Sequence, residues 1–228
     1  MPFLNSVRGV FGAEAGMTSN GPYENFQTLN LTTYGSTTTT SGSGTITVSG
    51  YRSTGANGWN TGFYTTNYFT PPFTVEFLKD GNIGIDQNNA YAMIGICPTG
   101  KISAFSNTAN NNYQYGYMWY PVYSNSLDIY ETPAGNSGNT GNTNYGIASG
   151  TNVWTPNSTV LRISIDAAGT VNYYYGANAA SRTVSAGSGY QWTFHYAGYS
   201  ANTLSRAYNI KLNQGALWNA STQKYYKA

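Results

Sequence analysis

Apolar and polar residues alternate with a period of two through most of the chain, and no stretch keeps the helical period for three turns. In "FTVEFLKDG", Phe73, Val75 and Phe77 face one way and Thr74 and Glu76 the other, with Asp80-Gly81 closing the strand as a turn. "TITVSGYR" sets Ile46 and Val48 on one face, "AYAMIGICP" is an apolar strand stopped by Pro98, and "YGYMWYPVY" is an aromatic one. "SLDIYE" alternates Leu127 and Ile129 against Asp128 and Tyr130. The stretch "TVLRISIDAAGTVNYYYG" predicts a β-hairpin. Its first strand turns Leu161, Ile163 and Ile165 inward and Arg162, Ser164 and Asp166 outward; its second puts Val171, Tyr173 and Tyr175 on one face and Tyr174 on the other. "SRTVSAG", "YQWTFHYAGY" and "RAYNIKLNQG" add three more strands. Candidates recur about every 8–15 residues with turn signals between them and no fixed repeat, which predicts an antiparallel sandwich or barrel rather than a propeller or β-helix.

The ends differ from this middle. Residues 1–35 lack clear alternation and read as an N-terminal arm or attachment segment, which needs a surface to lie on. Residues 36–215 hold the sandwich, and 216–228, "ALWNASTQKYYKA", read as a C-terminal tail with room for one helical turn. "STTTTSGSG" reads either as a flexible connector or as an exposed Thr-rich strand. "TPAGNSGNTGNTNYG" is a long Gly/Asn loop.

Composition narrows the function. The 228 residues suit one large all-β domain, able to bury a core without disulfides or metals. Only 8% of them are charged, against about 25% in an average domain, so solubility rests on Asn, Ser, Thr, Gly and tyrosine hydroxyls. The net charge is +2 and the bases are scattered, Lys224 and Lys227 being the one close pair, so no nucleic-acid groove is expected. No apolar run reaches the length of a membrane span, and "MPFLNSVRGVFGAEAG" lacks the basic-then-apolar order of a signal peptide. A chain made in a cytoplasm, without membrane insertion, is expected. Cys97 stands in an apolar strand and reads as a buried core residue; with the single His195 it cannot make a usual zinc ligand set.

Candidate chemistry is sparse. Asp128 and Glu131 share one strand, but an offset of three puts them on opposite faces, whereas glycoside hydrolysis needs two facing carboxyl groups. They read as two surface acids near a strand end, and no catalytic residue is assigned. In "DGNIGIDQNN", Asp80, Asn82 and Asp86 are spaced somewhat like an oxygen-rich loop, yet Ile85 and Tyr91 stand where a helical calcium loop requires Gly and Glu. No metal or cofactor is expected; a looser Ca2+ site would use those three residues. The 22 tyrosines and 5 tryptophans exceed what a core absorbs. Trp119, Tyr120 and Tyr123 in "YQYGYMWYPVY" and Tyr174 in "YYYG" are the candidates for carbohydrate or partner contact.

The runs "FTVEFLKDGNIGI", "YAMIGICPTG", "SLDIYE", "LRISIDAAGTVNYYYGANAASRT", "YQWTFHYAGYS" and "YNIKL" together resemble the concanavalin A-like lectin/glucanase sandwich, in the versions found in laminin-G-like and phage virion proteins. The resemblance implies an all-β, antiparallel jelly-roll β-sandwich. Enzyme members carry two Glu flanking an Asp on one strand; Ser126 takes the first of these places in "SLDIYE", so the resemblance implies no enzyme. The opening residues are also similar to those of structural proteins of marine tailed phages, especially cyanobacterial ones. That implies a non-enzymatic virion structural protein, displayed on the particle as capsid decoration, knob, fibre or tail appendage and held by contacts with other virion proteins. The alternative is a carbohydrate- or receptor-binding lectin-like module that meets a host surface glycan. A homo-oligomer is compatible with both.

Overall fold

The computed structural model describes residues 23–34, 37–42, 45–50, 61–79, 92–99, 116–121, 127–131, 143–148, 154–198 and 207–228. Among them are sixteen strands and no helix. One sheet has seven strands in the order β1 (Leu31–Tyr34), β4 (Thr61–Thr65), β13 (Trp192–Gly198), β6 (Ala92–Pro98), β7 (Tyr117–Pro121), β8 (Leu127–Glu131) and β9 (Thr143–Ala148). The other has five, in the order β12 (Asn178–Ser185), β11 (Thr170–Tyr175), β10 (Leu161–Ile165), β5 (Phe73–Lys79) and β14 (Ala207–Gln214). Two separate hairpins pair β2 (Thr37–Gly42) with β3 (Thr45–Gly50) and β15 (Ala216–Asn219) with β16 (Lys224–Lys227). All these pairings are antiparallel, and the architecture is a jelly-roll β-sandwich. Of the two readings of "STTTTSGSG", the strand is the one formed.

The sheets face each other across one core. Ile94, Ile96, Trp119, Ile129 and Phe194 enter it from the larger sheet, and Val75, Phe77, Leu161, Ile163 and Val171 from the smaller, all wholly buried. Burying each such side chain contributes about 1.5–3 kcal/mol. Aromatic rings lock across the gap: Phe77 lies 5.7 Å from Phe194, and Trp119 meets Tyr173 edge to face at 5.4 Å. The Trp119 indole donates from Nε1 to the Arg162 carbonyl at 2.9 Å, so this core tryptophan also satisfies its one polar atom.

Two expectations about the ends are corrected. Part of the stretch read as an arm is an edge strand: Leu31↔Thr65 and Thr33↔Phe63 place β1 on the larger sheet, and Phe26 bridges Asn213 on β14. Four residues of alternation are too few to stand out in a sequence. The tail forms no helical turn. It folds as the β15–β16 hairpin over the outer face of the five-stranded sheet, with the Trp218↔Tyr225 pair packed inward and Ala216 beside it.

That cover explains why Arg162 and Ser164, expected to face water, are buried. Beneath the hairpin, Thr74 Oγ1 donates to the Ala216 carbonyl at 3.0 Å and lies 2.7 Å from Ser164 Oγ. Arg162 Nε donates to Glu76 Oε2 at 3.0 Å, a second guanidinium nitrogen reaches the Gly176 carbonyl at 3.2 Å, and the group lies 3.7 Å from the centre of the Trp218 ring. The Tyr225 hydroxyl donates to the same Glu76 oxygen at 2.5 Å. Burial, then the charge and acceptance of Glu76, push that hydroxyl well above the usual phenol range. Trp218→Ala should therefore uncover a charged pair as well as open a cavity. We expect it to lower stability by about 3–5 kcal/mol in urea unfolding; a loss below about 1 kcal/mol would show the hairpin to be incidental.

Candidate functional site

On the side of the seven-stranded sheet turned away from the core, Tyr120, Asp128 and Tyr130 are half-buried, while Met118 and His195 are wholly buried. Along β7, Tyr117 and Trp119 point into the core and Met118 and Tyr120 away from it; along β8, Leu127, Ile129 and Glu131 point in and Asp128 and Tyr130 away. The register pairs Tyr120 with Asp128 and Met118 with Tyr130. Tyr120, Asp128 and Tyr130 thus form one half-buried group, with the two phenol rings 6.3 Å apart and nearly perpendicular. Asp128 stands opposite Tyr120 and two residues from Tyr130 on one face, beside a phenol pair that packs edge to face.

Glu131 takes no part in this group. It is 3% exposed on the opposite face of β8. Tyr173 donates to its Oε1 at 3.0 Å, and Arg182 on β12 contacts its Oε2 through two nitrogens at 3.1 and 2.6 Å. The opposite-face placement of Asp128 and Glu131 follows from their spacing, but the reading of both as surface acids is corrected: Glu131 is a buried anchor between the sheets. Burial and the Glu131 charge push the Tyr173 hydroxyl up. The two acids cannot face one substrate bond, as paired glycosidase carboxyls must.

The four aromatic candidates separate. Trp119 is wholly buried and cannot touch a ligand, because its position on β7 has the core parity. Tyr120 lies on the outer face just described. Tyr174 is half-buried on the opposite side of the sandwich, packed against Trp218 and Tyr225; burial and the nearby Tyr226 raise its hydroxyl pKa. Tyr123, and the calcium candidates Asp80, Asn82 and Asp86, lie outside the described residues. Among the described residues no three His, Cys, Asp or Glu side chains gather as a metal site. The contribution of Tyr130 was visible in the "SLDIYE" alternation; the grouping of Glu76, Arg162, Trp218 and Tyr225 was not, since it joins residues far apart in the chain.

Further across the same outer face, the register aligns Tyr64, His195 and Gly95, then Met118 and Tyr130. Gly95 is required there, because a Cβ would collide with the Tyr117 carbonyl. Cys97 is buried as expected, and burial pushes its thiol up.

The architecture is the concanavalin A-like jelly roll. No family model matches the sequence, and no curated protein matches it. Among solved structures, the chain is similar to the potassium-bound carbohydrate recognition domain of Emp46p, with 12% identity and a TM-score of 0.52 over 82% of this chain and 90% of that one. The metal-free form of that domain gives 11% identity and a TM-score of 0.50 over 83% and 89%. A Bacillus licheniformis β-glucanase gives 9% identity and a TM-score of 0.51 over 85% and 96%. At these identities the likeness is one of fold, and nothing in it points to a phage origin.

His195 supplies a test of this face. Desolvation holds its wholly buried imidazole neutral and lowers its pKa from 6.5 to about 3. A depressed folded-state pKa means its stability contribution is complete above pH 6.5 and lost as pH falls through 3. This group should withdraw up to about 5 kcal/mol over that window. Urea midpoints measured across it should fall more steeply for the parent chain than for His195→Gln; parallel curves would remove His195 from the acid response.

Proposed function

We propose that the protein is a non-enzymatic glycan-binding β-sandwich module that holds a saccharide on the outer face of its larger sheet. The observation that carries this reading is the grouping of Tyr120, Asp128 and Tyr130 on that face. Ring faces pack on the apolar side of a pyranose while the carboxylate accepts its hydroxyls. The non-enzymatic part rests on Glu131, which faces away from Asp128 and is tied to Arg182 and Tyr173. A fold shared with a carbohydrate recognition domain and a β-glucanase is compatible with this, although fold alone does not assign activity. On a glycan array the protein should bind a neutral oligosaccharide, and Tyr120→Ala or Tyr130→Ala should each weaken binding about tenfold. An array blank for neutral glycans, or reducing ends released from β-glucan, would sink the reading.

Display on a virion is a second, finer reading, supported by the opening residues and the charge-poor composition. Mass spectrometry of purified phage particles checks it: the chain should appear at a fixed copy number, and its absence counts against this placement without touching glycan binding.

A further inference from the structure

The middle of the larger sheet carries a different cluster on its side turned away from the core, and Gly95 lies at its centre. The register sets His195 on β13 and Met118 on β7 directly to either side of Gly95, and Met93 and Cys97 are its neighbours two positions away along β6. Parity turns all four side chains to this side, because Ile94, Ile96, Trp119 and Phe194 beside them in the chain enter the core. Gly95 and Gly116 have no side chains, and sulfur-bearing groups fill the space over them. Met118 Sδ lies 2.9 Å from where a Cβ on Gly95 would stand, and Cys97 Sγ and Met118 Cε each lie 2.8 Å from where one on Gly116 would stand. The Cys97 and Met118 side chains thus converge over Gly116. The chain has one cysteine, one histidine and four methionines, so four of its six soft donors surround a single glycine. All four are buried, Met93 being the most exposed at 2%. Among the described residues the strands of this sheet hold two acids: Glu131 faces the core, and Asp128 stands on β8, two strands from β6.

We propose that Cys97, His195, Met118 and Met93 form a binding site for a soft monovalent metal ion, Cu(I). Thiolate and thioether sulfur select Cu(I) over harder divalent ions, and an imidazole completes the set. A buried site with one thiolate suits a monovalent ion, because the two charges cancel and no net charge is taken out of water. Burial pushes the free thiol up, so it carries its proton. Binding therefore forms a sulfur–copper bond and releases the thiol proton to solvent, with no change of oxidation state. Burial also holds His195 neutral, the form in which an imidazole ligates. Tyr64 and Tyr130 are the half-buried ends of the row that runs through His195, Gly95 and Met118, and they give the ion its approach. The site uses none of the residues assigned to saccharide contact and does not rest on that reading.

Anaerobic titration of the metal-free full chain against the coloured Cu(I)–bicinchoninate complex tests the site. The protein should withdraw a single Cu(I) per chain, and more tightly as pH rises, because a proton leaves on binding. Cys97→Ser should weaken binding about a hundredfold, and Met118→Leu, which nearly conserves volume, about tenfold. Cu(I) should raise the melting temperature of the parent chain by more than that of Met118→Leu. If Cys97→Ser does not fold, Met118→Leu alone decides. No Cu(I) withdrawn by the parent chain overturns the proposal. Equal affinity in the parent and Met118→Leu also overturns it, because a lone thiolate would then be the whole site. Zn2+ that displaces Cu(I) at equal concentration overturns it as well, because the site would then not be a soft one.

Discussion

The Arg162–Glu76 pair imposes the constraint on which much of this molecule depends. It sits across β10 and β5, in the middle of the smaller sheet, with side chains 10% and 12% exposed. Withdrawing two charges from water is costly unless every remaining donor and acceptor is met. The chain meets them with its own C-terminus: Tyr225 donates to Glu76, Trp218 lies over the guanidinium, and Lys211 approaches the second carboxylate oxygen. Arg162 also joins the layers, because its carbonyl accepts the Trp119 indole from the opposite sheet while its side chain leaves toward the hairpin. The last thirteen residues are therefore a third layer of the fold.

A second buried acid follows the same logic at another place. Glu131 lies on β8, near one edge of the larger sheet, and Arg182 on β12, the edge strand of the smaller. Their contact, completed by Tyr173, ties the sheets together where no strand continues between them. Anchoring there removes Glu131 from chemistry. Asp166 is likewise occupied, accepting from the Thr170 amide in its turn at 2.8 Å. In a chain with eight acids, three of the described ones serve the scaffold, and Asp128 lies opposite Tyr120 on the side of the larger sheet turned from the core.

The two outer faces consequently differ. The larger sheet carries Tyr120, Asp128 and Tyr130 on the side turned from the core, and the smaller sheet is covered there by the Trp218–Tyr225 pair of the hairpin. Both use aromatic side chains that a low-charge β-sandwich needs for packing anyway, so a displaced strand parity is enough to turn a core ring into a surface one. Trp119 and Tyr120 are neighbours in the chain, and one is sealed while the other reaches the outer face.

Strand alternation by itself determined the all-β class, the inward set Leu161, Ile163, Ile165 and Val171, and the opposite faces of Asp128 and Glu131. These are local consequences of a two-residue period and are legible wherever one face of a strand is apolar. Only the tertiary structure decided what covers the other face. Arg162 and Ser164 occupy outward positions by parity, and nothing near them in sequence announces Trp218 or Tyr225 more than fifty residues away. For the same reason Tyr174 could not be told from a binding residue, since the distant β15–β16 hairpin half-covers it; Trp119 was withdrawn by its core parity on β7, a strand whose aromatic residues on both faces hide the alternation. Parity is written in the sequence because it is set by the backbone; cover is not, because it is set by which long-range pairing satisfies the buried charges.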